Sequence, residues 1–429
     1  MEYLLAFLVL VGVLIWFHEL GHFLMAKLFG VKVEVFSIGF GPVLFRKFMG
    51  ETEYRISALP LGGFVKLYGE EENIQDPRAF SSKKNWQKIL IAFGGPLFNF
   101  ILAVLFFTLL ASVVRDVPKY TYEKPLVGYV VEGSLAHRMG IREGDLILEV
   151  NSKEVRNWKE LEKVVFEKVL SKEWKVKVLR DGREVTLNIK GSVSRFGGFG
   201  AEPWLPAVVG RVIENSPAHQ VGIREGDRVL EVNGNRVAGW YELVDVLRKG
   251  KGEPVRLKLQ RDGRTEDITV VPRLEQGRPV LGLTPYVEKI EVKEPLHSAI
   301  VDGVERTYTL TLLSLKALWS IVTGELSLRT LGGPIAIAQL AGESAQQGIF
   351  PFIGMMAFIS VQLAVFNLIP LPVLDGGLIL LFLIEGLRRK PLSQRFKEAW
   401  VKAGYAIVIA LAGFVLINDL LRLLSGGKL

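Results

Sequence analysis

Long apolar runs, separated by polar stretches, divide the chain into membrane-spanning and water-exposed parts. A helix needs about 20 apolar residues to cross a bilayer. Four segments reach that length: Tyr3 to Ala26, the uncharged stretch between Lys88 and Arg115, Phe352 to Pro370, and Ala403 to Leu420. The first segment lacks the basic start and the small-residue cleavage site of a signal peptide, so we expect a retained membrane helix. The fourth is the weakest, because Asp419 lies near its end.

The charged residues between these segments predict their orientation. The loops that follow the first and third segments are short and rich in lysine and arginine, whereas the region from Asp116 to Pro351 is long. Short basic loops stay on the cytoplasmic side of a membrane. Both termini and the long region are therefore expected on the other side. Topology accounts for the net charge of +8, and we expect no nucleic-acid partner.

The long region contains an internal repeat. Residues 132–151 and 214–233 are similar, and the hexapeptide GIREGD occurs unchanged at Gly140–Asp145 and Gly222–Asp227. In each copy an Asp-Gly pair lies between two alternating segments, which is typical of a tight β-hairpin. One helix is predicted per copy, near Trp158 to Val169 and Trp240 to Lys249. The pattern predicts two small mixed α and β domains in tandem.

A helical period follows the repeat. Apolar residues between Pro295 and Thr323 recur at intervals of three and four positions. The uncharged part is too short to span a bilayer, so a helix lying on the membrane surface is the interpretation we favour. An ordinary packing helix is the alternative.

The first apolar segment carries the candidate chemistry. His18-Glu19-Leu20-Gly21-His22 is an H-E-x-x-H motif, and positions i and i+4 of a helix share one face, so both imidazoles can reach one metal ion. Glu19 lies beside them, in a position to accept a proton from water. The alternative is a polar contact between helices, which would not require this spacing. Two histidines and a carboxylate are costly in lipid unless they serve a site.

A catalytic zinc ion usually has three protein ligands and one open position. The chain has no cysteine, and His137, His219 and His297 all lie in the long region outside the cytoplasm. Asp375 is the only charged residue between Glu343 and Glu385. An isolated carboxylate there would be neutralised or paired. We expect it to be the third ligand; a protonated side chain or a helix cap is the alternative.

The two motifs together resemble the site-2 protease family. The matching residues are the H-E-x-x-H pentapeptide and the segment Asn367 to Gly376, which reads NLIPLPVLDG. The tandem repeats resemble PDZ domains of bacterial proteases. This second resemblance suggests a member of the site-2 protease family that carries inserted PDZ copies. Such domains bind extended peptide ends by strand addition, while a steric filter or a structural role is the alternative here.

The resemblance implies an intramembrane zinc metalloprotease with one Zn²⁺ per chain, performing regulated intramembrane proteolysis in the inner membrane of a bacterium. It implies a single-pass transmembrane substrate, such as a previously trimmed anti-sigma factor, and remnant signal peptides as further substrates. The active site would face the cytoplasmic side. The substrate helix must unwind before hydrolysis because its backbone is internally hydrogen-bonded.

The same resemblance suggests residues that bind the substrate. Asn367 matches the family asparagine that contacts substrate. Gly39, Phe40, Gly41 and Pro42 match a membrane-associated β-loop that pairs with unwound substrate. The segment from Gly94 to Asn99 also matches a family pattern, and the role of Asn99 is left open.

The predicted fold is a polytopic α-helical membrane protein with about four transmembrane helices, a membrane-associated β-loop and two inserted PDZ domains of the α+β class outside the cytoplasm. The expected regions run in this order along the chain: 1–30, 31–87 (the β-loop region), 88–115, 116–200 and 201–290 (the two PDZ domains), 291–350, 351–387, 388–402 and 403–429.

Two other functions fit parts of the pattern. A membrane metal transporter or sensor would also bury histidine and aspartate, but it would not depend on Glu19. A PDZ scaffold with an inactive metal site would capture partners without forming peptide products. Neither explains the combination of both motifs and the repeats as well as a protease does.

Overall fold

The computed structural model describes residues 2–70, 74–191, 198–275, 278–328 and 332–424. The chain forms two compact units, one made of Met1–Val113 with Lys293–Leu429 and the other of Val114–Val292. The end of the last predicted region, 425–429, lies outside the described residues.

Helix α1, Glu2–Leu28, contains the first apolar segment and the H-E-x-x-H motif. Its buried positions Ala6, Leu10, Leu14 and His18 recur every four residues. Residues at that spacing lie on one helix face, so the first histidine continues the stripe by which α1 packs inside the unit.

A long hairpin follows α1. Strands β1, Val33–Met49, and β2, Thr52–Leu67, pair in an antiparallel sheet with several shifts of register. The segments Val33 to Phe40 and Glu53 to Ala58, in which apolar and polar residues alternate as in strands, lie within them. The part of β1 nearest the core is largely buried, whereas Val43–Met49 is exposed and includes four large apolar side chains that are more than half exposed (Leu44, Phe45, Phe48 and Met49).

Helix α2, Asn85–Ser112, packs against α1 with almost no space between the backbones. A β-carbon built on Gly21 would lie 2.1 Å from the carbonyl oxygen of Gly94, and one built on Gly94 would lie 2.6 Å from that of Gly21. Small residues permit such close approach of helices in membranes. The contact brings the histidine face of α1 directly onto α2.

The second unit begins with the first repeat. Its elements are β3 Arg115–Pro118, a 3₁₀ turn Lys119–Tyr122, β4 Val127–Val130, α3 Leu135–Met139, β5 Leu146–Val150, β6 Lys153–Glu154, α4 Trp158–Glu167, β7 Glu173–Arg180, β8 Arg183–Lys190 and β9 Ala201–Pro203. Strands β6, β5, β7 and β8 form one sheet in that order, and β4 pairs with β9. Trp174, Leu161 and Ile147 lie in its core. Because β9 completes this domain, the first repeat includes Pro203.

The second repeat has the same plan. It contains β10 Val209–Val212, α5 Pro217–Gln220, β11 Arg228–Val232, β12 Asn235–Arg236, α6 Trp240–Lys249, β13 Val255–Arg261, β14 Arg264–Val270, β15 Arg273–Glu275, β16 Arg278–Val280, β17 Leu283–Pro285 and β18 Lys289–Val292. The sheet order is β12, β11, β13, β14, and β10 pairs with β17. Strand β18 pairs with β3, so the two ends of the unit meet.

The repeated hexapeptide has a structural role in both domains. Asp145 accepts a hydrogen bond from the backbone N–H of Arg142 and two from the Arg180 guanidinium, at 2.7 and 2.8 Å. Asp227 makes the same contacts with Arg224 and Arg261. Each aspartate is almost fully buried, and a buried carboxylate needs such partners. The two motifs therefore stabilise the repeats.

The chain then returns to the first unit. Helices α7 Leu296–Val322, α8 Pro334–Gln347, α9 Ile349–Asn367, α10 Asp375–Arg388 and α11 Gln394–Leu424 follow in order. Helix α7 packs along α2, and its residues Ala299, Gly303, Thr307 and Ser314 are buried. That it lies on the membrane surface stays a prediction.

Asp419, the charge near the end of the fourth predicted segment, has a specific partner. Its carboxylate accepts hydrogen bonds from the backbone N–H groups of Gly333, Ile335 and Ala336 at 3.0 to 3.2 Å, at the start of α8. A negative charge at a helix N-terminus is stabilised by these N–H groups. The charge therefore serves to cap a neighbouring helix.

Each predicted apolar segment lies wholly or largely within a long helix; the third extends three residues past the end of α9 at Asn367. Within the described residues, four helices are long and apolar enough to cross a membrane: Glu2–Leu28, Asn85–Ser112, Ile349–Asn367 and the Gln394–Leu421 part of α11.

Candidate metal centre

The two histidines of α1 converge at one point. His18 and His22 are one helical turn apart, and their Nε2 atoms lie 3.2 Å from each other. His18 is 8% exposed and His22 is half-buried. Both side chains therefore direct the same ring nitrogen into one space.

Asp375 reaches this space from the other end of the chain. Its Oδ2 atom lies 3.2 Å from Nε2 of His18, and its Oδ1 atom lies 3.4 Å from Nε2 of His22. Ligand atoms from the three residues all lie within 4.8 Å of one another. The structure thus brings together the three residues that the sequence suggested as metal ligands.

The segment before Asp375 explains how helix α10 can begin beside the two histidines. Residues 368–374 connect α9 and α10, and Val373 has a φ of +79°, which is unusual for a β-branched residue. A β-carbon on Gly376 would lie 2.3 Å from the Leu368 carbonyl oxygen, and one on Gly377 would lie 2.0 Å from that of Leu371. The two glycines therefore let the start of α10 fold tightly against this connection, which places Asp375 beside the histidines.

The donor set fits a zinc ion. Two imidazole nitrogens and a carboxylate are ligands that catalytic zinc uses. Asp375 Oδ2 is buried and accepts no hydrogen bond from the described residues, although His18 is close to it. The outer nitrogens of the rings have other partners: Nδ1 of His22 lies 2.8 Å from the Ile91 carbonyl oxygen, and Nδ1 of His18 lies 3.1 Å from Nδ2 of Asn99. Both Nε2 atoms are thus oriented for a common ligand.

Glu19 is covered by the hairpin. A β-carbon built on Gly63 of β2 would lie 2.8 Å from Cγ of Glu19 and 2.8 Å from the Ser37 carbonyl oxygen. The hairpin therefore passes directly over the candidate general base. The absence of a side chain at position 63 is what permits this contact.

The β-loop residue Phe40 packs on the glycine that precedes Gly63 in β2. The Phe40 ring covers Gly62, where a β-carbon would lie 1.9 Å from it, and it stacks on Phe64. Gly39 and Gly41 have φ values of +87° and +84°, a conformation that favours glycine, and Pro42 is exposed. Successive residues of a strand face opposite sides, so Phe40 contacts the face of β2 opposite to the one on which Gly63 contacts Glu19.

Asn367 is the last residue of α9 and is half-buried. It lies at the opposite end of the 368–374 connection from Asp375. Its predicted contact with substrate stays a prediction.

Three residues near the site have no role assigned from the sequence. Gly62 and Gly63 lie within the predicted β-loop region 31–87 but have no role of their own there, and Asn99 stands out only as part of a family pattern. The sequence does offer one signal for Gly62 and Gly63. They form a glycine pair in an otherwise strand-forming segment, and glycines in strands often mark a close approach of another part of the chain.

A second polar cluster lies between the two repeat domains. The Tyr129 hydroxyl donates a 2.7 Å hydrogen bond to Asp245, and the Tyr129 and Tyr241 rings stack with centroids 4.8 Å apart. Tyr241 in turn donates to Glu202 at 3.4 Å. Burial, together with the bond to Asp245, raises the pKa of Tyr129 to about 12. Burial also raises the pKa of Glu202, against the opposing effect of the Tyr241 hydrogen bond.

Comparison with known proteins gives an independent view of the whole chain. Residues 6–411 match the family model of peptidase family M50. The regulator of sigma E protease of Haemophilus influenzae is 33% identical over 97% of this chain and 98% of that protein. The regulator of sigma-E protease RseP of Escherichia coli is 32% identical over 98% of each.

Among solved structures, the PDZ domain of an SdrC-like protein from Listeria monocytogenes shares 23% identity. The match covers 20% of the present chain and 90% of the Listeria chain, with a TM-score of 0.18.

The family match extends over both units and includes the three clustered residues. Relatives of this similarity cover nearly all of the chain and nearly all of their own length. The chain therefore belongs to peptidase family M50 and is a zinc metalloprotease of the site-2 type.

Proposed function

We propose that this metalloprotease hydrolyses a peptide bond in the transmembrane segment of a single-pass protein, with His18, His22 and Asp375 as ligands of one Zn²⁺ and Glu19 as the general base. The observation that carries this proposal is the convergence of ligand atoms from α1 and α10 within 4.8 Å of one another. The two histidines lie on a helix long and apolar enough to span a bilayer, where such groups mark functional sites.

The chemistry follows from the residues that surround this point. A zinc ion held there would polarise the scissile carbonyl and lower the pKa of a water molecule to about 7. Glu19, which follows His18 on α1, accepts the proton of the attacking water and passes it to the leaving amine. Glu19 is half-buried beneath Gly63, which limits its movement.

The hairpin supports a role in holding the substrate. A peptide bond in a helix is inaccessible until the helix unwinds, and an unwound segment needs partners for its backbone. Strand addition to a sheet supplies them. We infer that Gly39, Phe40, Gly41 and Pro42 contact the substrate, because they belong to the same hairpin that covers Glu19 through Gly63. Asn367 is the second proposed contact.

The arrangement in the membrane is part of the same proposal. Four helices would span the inner membrane of a bacterium, with the active site toward the cytoplasm and both termini on the other side. The inserted repeats would be PDZ domains outside the cytoplasm that dock or filter the substrate. Support comes from the four apolar helices, the basic short loops and the two similar domains.

The names of the relatives suggest the substrate. Proteins from Haemophilus influenzae and Escherichia coli are named regulators of sigma E protease. We infer that this chain cleaves an anti-sigma factor after its outer part has been removed, and that remnant signal peptides are further substrates.

Cleavage by purified protein tests the proposal. The full chain in detergent is incubated with a single-span test substrate, and the products are mapped by mass spectrometry. We expect new peptide ends within or beside the apolar segment. A chelator is expected to stop the reaction and added zinc to restore it.

The variant Glu19→Gln should form no products while it keeps its zinc. Glu2→Gln makes the same change at the other end of α1 and should cleave normally. A metal transporter would instead move metal into liposomes without any dependence on Glu19, and a scaffold would retain the substrate uncleaved; either result would reject the protease proposal.

A further inference from the structure

Asn99 of α2 is a fully buried polar residue whose hydrogen bonds are incomplete. It is 0% exposed, its Nδ2 atom lies 3.1 Å from Nδ1 of His18, and its Oδ1 atom has no hydrogen-bond partner among the described residues. Buried polar atoms are nearly always hydrogen-bonded, so each exception needs an explanation. The explanation here lies in the tautomer of the imidazole that Asn99 contacts.

A neutral imidazole carries its single proton on one of two nitrogens. His18 directs Nε2 toward Asp375 and His22, so binding a metal through Nε2 requires the proton to be on Nδ1. An Nδ1–H group is a donor and needs an acceptor. The amide nitrogen of Asn99 is itself a donor, whereas Oδ1 is an acceptor, and rotation of the amide by half a turn exchanges the two.

The neighbouring histidine already has the arrangement that this argument requires. Nδ1 of His22 lies 2.8 Å from the Ile91 carbonyl oxygen, which only accepts, so His22 must carry its proton on Nδ1. Both outer partners, Ile91 and Asn99, belong to α2. The same helix therefore contacts both rings on the side away from the candidate metal position.

The position of Asn99 is held by its backbone. Ser360 of α9 donates a 2.8 Å hydrogen bond to the Asn99 carbonyl oxygen. The side-chain amide can therefore rotate about its own bond while the residue stays in place. The backbone contact with Ser360 and the side-chain contact with His18 can therefore be tested by separate substitutions.

We propose that Asn99 is a positioning residue whose Oδ1 accepts a hydrogen bond from Nδ1–H of His18, and so holds His18 in the tautomer that leaves Nε2 free for the metal ion. The inference rests on the proposed metal site. Groups of this kind, which orient a ligand without touching the metal, typically change metal affinity by about 10- to 100-fold when they are removed.

Three variants of the full chain in detergent separate the roles. Asn99→Leu removes the acceptor at similar size, Asn99→Asp keeps an acceptor, and Ser360→Ala removes the backbone contact but leaves the amide. Zinc affinity is measured by competition with a chelator, and thermal unfolding of the zinc-free proteins reports on folding. We expect Asn99→Leu to weaken zinc binding by about 10- to 100-fold, while Asn99→Asp and Ser360→Ala stay close to the wild type.

The proposal is overturned if Asn99→Leu binds zinc as tightly as the wild type, or if Asn99→Asp or Ser360→Ala loses as much affinity as Asn99→Leu. If Asn99→Leu does not fold, Asn99→Ala takes its place in the same comparison. Failure of the wild type itself to bind zinc would reject the metal site, and it is read separately, before the variants are compared.

Discussion

Gly95 of α2 lies so close to His22 that a β-carbon built on it would be 2.4 Å from the Nε2 atom. The same β-carbon would be 2.7 Å from Nε2 of His18. Gly95 therefore leaves open the space toward which both imidazoles point.

Gly95→Ala should accordingly lose most of its zinc. The added methyl group would compete with the metal for space. The two helices are too closely packed to move apart and make room for it. Elemental analysis of the purified protein measures this. Gly12→Ala is the matched control, because a β-carbon at Gly12 of α1 has no atom within 4 Å; normal zinc content in Gly95→Ala would contradict the prediction.

Asp375→Ala should bind zinc far more weakly than the wild type. It removes one of three proposed protein ligands, so the loss is expected to exceed the roughly 10- to 100-fold effect of residues that only orient a ligand. Competition with a chelator measures the affinity. Asp302→Ala is the control, because that carboxylate pairs with Arg306 on α7; equal zinc affinity in both variants would remove Asp375 from the ligand set.

Gly63→Ala should lower kcat and leave zinc bound. The new methyl group would displace Glu19 or the strand above it, since a β-carbon there would lie 2.8 Å from Glu19 Cγ. A misplacement of about 1 Å in catalytic geometry costs on the order of 100-fold in rate. Steady-state cleavage and zinc content are measured on the same preparation; a normal kcat would show that the hairpin does not constrain Glu19.

Glu202→Gln should stabilise the chain at neutral pH. Burial raises the pKa of Glu202 above its ordinary value of 4.5, so the folded protein retains this proton to higher pH than the unfolded chain does. Stability from this group is therefore fully present below pH 4.5 and declines as pH rises toward the folded-state pKa. Glutamine cannot ionise and avoids that decline.

Thermal unfolding between pH 4 and 8 measures the effect. The stability gain of Glu202→Gln over the wild type should grow with pH and then level off at about 1 kcal/mol or less, because Glu202 is only partly buried and solvent screens its charge. Glu214→Gln, at an exposed carboxylate, is the control. A gain that is largest at low pH would contradict the assignment.

Much of this protein is readable from local patterns. The four apolar helices follow from uninterrupted hydrophobic length, and Asp181-Gly182 and Asp262-Gly263 form hairpin turns because the positive φ values there suit those residues. The pairing of His18 with His22 follows from helical period alone. Asp375 follows by elimination, since an isolated charge in an apolar stretch needs a partner.

Contacts between distant segments could not be read in this way. That Gly95 and Asn99 face the histidines depends on how α1 and α2 cross, and the Gly21–Gly94 contact permits their close approach. That Gly63 covers Glu19 depends on register shifts within the hairpin, and that Tyr129 pairs with Asp245 depends on how two similar domains meet. Hydrophobicity and periodicity describe which face of an element is buried, but only packing in three dimensions selects the atoms that lie opposite it.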